Sequence, residues 1–288
     1  MNIEKFIEAR RKNGLSQIEL AEGICTQATL SRFENNGQVP SLKILLKLCE
    51  RLNISLGELF PKVGIQYDDV NRIMERAEFL LITSEFDESE RLLDTLNLKD
   101  IDEMSILLRY YYLRGFVMVF KNYPITEVLF NFDQILFGEL DEEGELFRLL
   151  AYTGIGMVFA REDDVDKAEF YFNKVLENIY RYPIKDVEDT WRVLNIVYQS
   201  GEFYACINEL DVSNVLLEYA ITICSDNHVT YYLARAAFQL AKNAIQQEKP
   251  KEYILELIHD ARAFAKINRN YIKLEKLTEL EKVVQSDH

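Results

Sequence analysis

Between Leu15 and Gly37 the chain reads LSQIELAEGICTQATLSRFENNG, and it concentrates side chains that hydrogen-bond at helical spacing. Gln27, Thr29, Ser31 and Arg32 fall off the apolar positions Leu30 and Phe33, so they form the free face of a short helix. Amide, hydroxyl and guanidinium groups are the ones that bond to base edges and phosphate oxygens, and a short helix fits the major groove of a duplex. The chemistry on offer is recognition. The three histidines, His228, His259 and His288, have no sequence neighbour that would make a nucleophilic or metal site, and no paired carboxylates stand out. Cys25, Cys49, Cys206 and Cys224 are scattered without metal or disulfide spacing and read as reduced core residues. An enzyme is not expected, nor a cofactor or metal.

Two elements must position that face. Ser16 with Glu19 is a capping box, which starts a helix over Ser16 to Ile24 with Ile18, Leu20, Ala21 and Ile24 on one apolar face. Thr26 is an N-cap for the second helix. The tight turn through Gly23, Ile24 and Cys25 makes the two helices cross, as in a helix-turn-helix. A first helix is expected from Asn2 to Asn13, stopped by Gly14, with Arg10, Arg11 and Lys12 placed to suit the helix dipole or to meet phosphate. A fourth, Leu42 to Leu52, buries Leu42, Leu45, Leu46, Leu48 and Cys49 and turns Lys43 and Lys47 outward. Ser41 and Lys43 begin it, where a phosphate could sit. A fifth, Ser55 to Phe60, closes the domain before a linker at Lys62 to Gln66.

These residues carry a resemblance. SQIELAEGICTQATLSRFENNGQVPS resembles the DNA-binding domain of the phage-repressor-like helix-turn-helix family, and GIC, SRFENNG and VPSL look most like the peptide-responsive PlcR and Rgg regulators. The resemblance is strong over about the first 60 residues and one of architecture beyond. It implies that Gln27, Ala28 and Arg32 face base edges while Gln17, Thr29 and Ser31 position the DNA backbone. Ala28 would offer apolar contact at most. It further implies control by a short signalling peptide, as in quorum sensing.

The whole chain has 288 residues, so a second domain is expected after residue 66. With 48% hydrophobic residues, and Gly and Pro totalling 16, the fold class expected is all-α: a five-helix DNA-binding domain over 1–66 and a tetratricopeptide-like superhelix over 67–288. The net charge of −15 argues against indiscriminate nucleic-acid binding. Residues 1–66, however, hold nine Lys and Arg against seven Asp and Glu, a near-neutral head on an acidic body. No stretch reads as a signal sequence or a membrane span, so a cytoplasmic protein is expected.

Small residues recur with an echo about 12 positions later. Ala77 pairs with Ser89, Leu93 and Leu96; Gly115, one residue late, with Val128, Phe132 and Ile135; Gly156 with Ala168, Phe172 and Val175; Gly201 with Ser213, Leu217 and Ala220. The anchors are 38, 41 and 45 residues apart. A weaker fifth unit is centred on Ala237, with its second helix at Lys251 to Ile267, and Tyr271 to Val284 caps the array. Each small residue lets the two helices of a pair approach, and stacked pairs enclose an inner groove.

Residues six and three before each anchor and one after it should face that groove: Asn71, Met74 and Glu78; Arg109, Tyr112 and Phe116; Leu150, Thr153 and Met157; Asn195, Tyr198 and Glu202; Tyr231, Ala234 and Phe238. Amides that hold a backbone, a guanidinium for a terminal carboxylate, and aromatics or Met for apolar side chains suit an extended peptide. By the resemblance, Asn195 corresponds to the Asn that clamps the peptide backbone. The expected function is thus a homodimeric transcriptional regulator that binds a palindromic double-stranded operator under peptide control. The alternative is a helix-turn-helix regulator whose repeat domain binds a protein partner or only dimerises.

Overall fold

Ser16, Thr26 and Ser41 each accept a hydrogen bond from a backbone N–H three residues on, and a helix follows each. The computed structural model describes residues 3–59, 69–101, 103–138 and 144–286. The expected linker at Lys62 to Gln66, and Phe60, lie outside them. The chain divides into two compact units, residues 1–66 and 67–288.

In the first unit α1 (Ile3–Lys12), α2 (Gln17–Ala21), α3 (Gln27–Asn36) and α4 (Leu42–Leu52) surround Phe6, Leu20, Leu30, Phe33, Leu45 and Leu48. A 3-10 turn, Leu56–Leu59, replaces the expected fifth helix. The capping box is complete, since Glu19 also accepts from the Ser16 N–H at 2.7 Å. Helix α2 is shorter than the apolar spacing suggested: it ends at Ala21, and Gly23 takes a left-handed φ of 71° that lets the chain turn toward α3. Ile18, Leu42 and Leu46, expected in the core, are 70%, 63% and 45% exposed. Leu45, Leu48, Cys49 and Leu52 already fill the stripe α4 presents inward, which leaves Leu42 and Leu46 on its flank.

Among the described residues the second unit is five helix pairs and a cap: α5 (Asp69–Thr83) with α6 (Phe86–Leu93), α7 (Met104–Phe120) with α8 (Ile125–Leu136), α9 (Gly144–Arg161) with α10 (Val165–Ile179), α11 (Val187–Cys206) with α12 (Leu210–Asp226), α13 (Leu233–Gln246) with α14 (Lys251–Ile267), then α15 (Tyr271–Ser286). The close approaches fall at the small anchors. Ser89 Oγ donates to Ala77 O at 2.9 Å and Ser213 Oγ to Gly201 O at 2.7 Å. A Cβ built on Gly115 would stand 2.5 Å from the Phe132 ring, and one on Gly156 would stand 3.0 Å from Phe172. Gly154, which the spacing did not single out, is tighter still: its Cβ would stand 2.1 Å from Phe132 Cζ.

The turns inside the pairs supply a second register mark. Ser84, Asn122, Asp163 and Asn208, each seven residues after its anchor, all take a positive φ, and Glu248 does so in the fifth pair. Counting back seven from Glu248 gives Ala241, fully buried, so the fifth anchor is Ala241 and the expected Ala237 is one helical turn early. Applied to Ala241, the inward positions become Arg235, Phe238 and Lys242. Tyr231 precedes α13 and leaves the set.

Candidate functional site

On the first unit, α3 buries Leu30, Phe33 and Glu34 and turns Gln27, Ala28 and Arg32 to solvent; Thr29 and Ser31 are half-buried. Glu34 is the hinge of the arrangement. Its carboxylate takes a forked pair from Arg10, Nε at 2.7 Å and Nη2 at 2.8 Å, and a third bond from Gln17 Nε2 at 2.8 Å. That hydrogen-bonded pairing raises the Arg10 pKa above its ordinary value. Arg10 is thereby committed to the fold, with a further bond to Leu15 O at 2.8 Å, and is removed from the residues that could meet phosphate. Gln17 Oε1 in turn accepts from Gln27 Nε2 at 2.9 Å. A buried ion pair in α1 and α3 therefore fixes, through Gln17, the first side chain of the exposed face. Thr26 and Thr29 hydroxyls bond to each other at 2.8 Å, and Ser31 Oγ accepts from Asn35 at 3.1 Å. Lys43 is exposed beside the Ser41 cap.

On the second unit the expected groove residues part company. Met74, Phe116 and Thr153 are fully buried, and Tyr112 and Tyr198 are nearly so. They are core rather than groove surface: Tyr112 packs edge-on to Phe116 at 5.2 Å, Phe116 edge-on to Phe132 at 5.8 Å, and Thr153 Oγ1 bonds back to Leu149 O at 2.9 Å. The inner face is also closed by α5, which reaches α11 and the α13 region. Arg192 Nε donates to Glu78 Oε1 at 3.1 Å, Phe79 meets Tyr231 edge-on at 5.4 Å, and Arg235 Nη2 donates to Ser84 Oγ at 2.9 Å. Burial alone would raise the Glu78 pKa, but Arg192 from α11 and Arg109 from α7 outweigh it and hold the carboxyl below its usual range.

Asn71 keeps access, in a cleft of about 480 Å³ where the inner helices begin; Arg109, whose Nε donates to Glu78 at 2.8 Å, lines it too, with Phe147, Tyr182, Lys185 and Arg192. Met157, Tyr231 and Phe238 are half-buried. Asn195 is 3% exposed, and while its Oδ1 accepts from Gln199 at 3.3 Å, its Nδ2 has no hydrogen-bond partner among the described residues. Trp191 Nε1, one turn earlier on α11, is likewise buried and unpartnered. Sequence reasoning missed Arg192. It stands one further turn before Asn195, so extending the inward rule by three residues finds it.

No cluster of three or more metal-ligating side chains forms among the described residues, and no described helix is long and apolar enough to cross a membrane.

Residues 6–59 match the helix-turn-helix family model. No curated protein matches the chain. The fold is similar over nearly the full length to several solved structures, among them the following three. Bacillus thuringiensis PlcR in complex with the peptide PapR7 and DNA shares 16% identity over 96% of this chain and 98% of that one, with a TM-score of 0.61. ComR from S. thermophilus in complex with DNA and its signalling peptide ComS shares 16% over 98% of both, with a TM-score of 0.58. ComR from Streptococcus vestibularis with its cognate signaling peptide XIP shares 15% over 98% of both, with a TM-score of 0.57.

Proposed function

We propose that this protein is a transcriptional regulator that binds a palindromic DNA operator as a homodimer through the helix-turn-helix of residues 6–59, under the control of a short signalling peptide held by the repeat unit. The reading of DNA rests on the α3 face. Gln27, Ala28 and Arg32 meet base edges, Gln17, Thr29, Ser31 and Lys43 meet the phosphate backbone, and the Arg10–Glu34–Gln17 network sets their register. Two-fold pairing follows from surface area, because one such unit covers little DNA and gains affinity by engaging two half-sites.

The peptide reading is carried by one observation. Asn195 places an amide in the interior of the repeat unit with its N–H donors unpartnered, a cost of about 1 to 3 kcal/mol that a ligand's backbone carbonyl would remove. The likeness in fold to proteins crystallised with signalling peptides supports it. Asn71 and Arg109 give the peptide an entrance at the cleft. The side chains that close the inner face, Glu78 with Arg192, Phe79 with Tyr231 and Ser84 with Arg235, would part as it enters, so the peptide favours an opened arrangement of the unit over the closed one. Met74, Tyr112, Phe116, Thr153 and Tyr198 then serve as the packed wall rather than as contacts.

Selection of bound duplexes from random-sequence DNA tests the first half. A palindromic consensus is expected, and Arg32→Ala should weaken binding to it by about 1 to 3 kcal/mol and relax preference at one base position. Unchanged affinity and consensus would take Arg32 off the reading face.

A further inference from the structure

The inner face of α11, α13 and α15 has donors and positive charge without matching acceptors. Arg235 is 6% exposed; one nitrogen donates to Ser84 Oγ at 2.9 Å and the guanidinium also hydrogen-bonds the Tyr232 side chain, but Nε has no hydrogen-bond partner among the described residues. Its guanidinium lies over the rings of Tyr198 and Tyr232 at 5.2 and 5.6 Å, which soften but do not neutralise the charge. Lys273, 9% exposed, comes in from α15 with its ammonium 4.4 Å over Phe238 and forms no salt bridge with a carboxylate among the described residues. The charged groups that act on it most strongly are Arg235 from α13, Glu202 from α11, Lys276 from its own helix and Lys242 from α13. On the α14 side, His259 and Arg262 are both taken up by Glu281. Burial, with Arg235 next, pulls the Lys273 pKa down to about 7.

A buried cation without a salt-bridge partner is destabilising, and a second one that acts on it more so. Their register is informative. With the fifth anchor at Ala241, Arg235 occupies the position on α13 that Asn195 occupies on α11, and Phe238 the position of Tyr198. The two unpartnered donors thus stand at equivalent places on adjacent inner helices, with Lys273 beyond them.

We infer that Arg235 and Lys273 form a carboxylate subsite next to Asn195, so that the ligand of the repeat unit is a peptide carrying an anionic group, either its C-terminus or an Asp or Glu side chain, at the end that reaches α13 and α15. The inference rests on the peptide reading and adds the ligand's charge and orientation. A carboxylate there supplies acceptors to the Arg235 Nε and the Lys273 ammonium at once, and charge-assisted bonds of this kind are about twice as strong as neutral ones.

The test is affinity selection by the full chain from three pools of random heptapeptides: free C-termini without Asp or Glu, amidated C-termini with Asp and Glu, and amidated C-termini with neither. Enrichment at least tenfold higher from the first or the second pool than from the third is expected, and which of the two enriches identifies the source of the carboxylate. Lys273→Met, which keeps the aliphatic stem over Phe238, should bring the enriched pool down to the level of the third. Equal enrichment from all three pools overturns the subsite and leaves the peptide reading standing; enrichment from none overturns both. Should the variant not fold, calorimetry of the native chain with a selected peptide decides. In two buffers of different ionisation heat at pH 8, uptake of a large fraction of one proton is expected as the carboxylate restores the charge on Lys273, and no proton uptake contradicts it.

Discussion

Gly154→Ala is the substitution whose effect the packing defines most sharply. The Phe132 ring is wedged between α7 and α9, against Gly115 on one side and Gly154 on the other, and it is fully buried. A Cβ at residue 154 would lie 2.1 Å from Cζ, whereas ordinary contact begins at about 3.4 Å. The ring would have to retreat by more than an ångström, and Gly115 and the edge-on Phe116 at 5.8 Å stand in its way. Overpacking of this kind costs about 1 to 3 kcal/mol. Alanine returns up to about 1 kcal/mol through its helix propensity. An approach as close as 2.1 Å belongs at the upper end of that range, so the net loss is about 2 kcal/mol, and the corresponding fall in melting temperature is roughly 4 to 8 °C for a unit of this size.

Trp191 is the single tryptophan of the chain and lies in the repeat unit, so urea unfolding followed by its fluorescence reports that unit. Gly201→Ala is the milder comparison, because its Cβ would meet Leu217 Cδ2 at 3.0 Å, Leu217 Cγ at 3.1 Å and Leu216 Cβ at 3.6 Å, so its loss should be smaller than that of Gly154→Ala. Adding Phe132→Leu to Gly154→Ala should recover part of the loss as a coupling of about 0.5 to 3 kcal/mol. A Gly154→Ala protein as stable as its parent, or a double variant whose losses simply add, would refute the wedge.

Two further outcomes follow from charge. Glu34→Ala leaves Arg10 largely buried without its partner and frees Gln17, so α1 to α3 should lose about 3 kcal/mol of local stability; hydrogen exchange in residues 3–36 of the full chain should accelerate accordingly, and unchanged exchange would show the network to be incidental. Because the folded Lys273 pKa of about 7 lies below its ordinary 10.5, the unfolded chain holds a proton between these values that the folded chain releases, and native stability gains as pH rises through that window. Lys273→Met should therefore stabilise the protein most below pH 7, where the buried charge is fully present, with the advantage shrinking toward pH 10; an advantage independent of pH would mean that Lys273 is not desolvated.

Local signals made the first unit readable. Ser16, Thr26 and Ser41 cap helices because their hydroxyls need only a backbone N–H three residues away, and that spacing is visible in the chain. The exposure of Ile18, Leu42 and Leu46 was not visible, because periodicity marks the direction of an apolar face and not its width. In the repeat unit the small anchors at Ala77, Gly115, Gly156 and Gly201 were legible, since a close approach forbids larger side chains. The fifth was misplaced because alanines recur along α13, and only the left-handed turn at Glu248 separates Ala241 from Ala237. The closed inner face had no local signal at all: Glu78 and Arg192 are 114 residues apart, and nothing near either announces the other. Lys273 has no local signal either, because a lysine beside Lys276 on a terminal helix has the same spacing as a solvated one.

In the proposed function a peptide in the repeat unit governs DNA binding by the helix-turn-helix. The affinity of the full chain for its selected operator is therefore measured with and without a peptide recovered by affinity selection, while Trp191 fluorescence is followed in the same titration. A change in operator affinity of about tenfold or more, saturating at the peptide concentration that saturates the Trp191 signal and lost in Asn195→Ala, is the predicted result. A saturable Trp191 signal with operator affinity unmoved, or a response that survives Asn195→Ala, would contradict it.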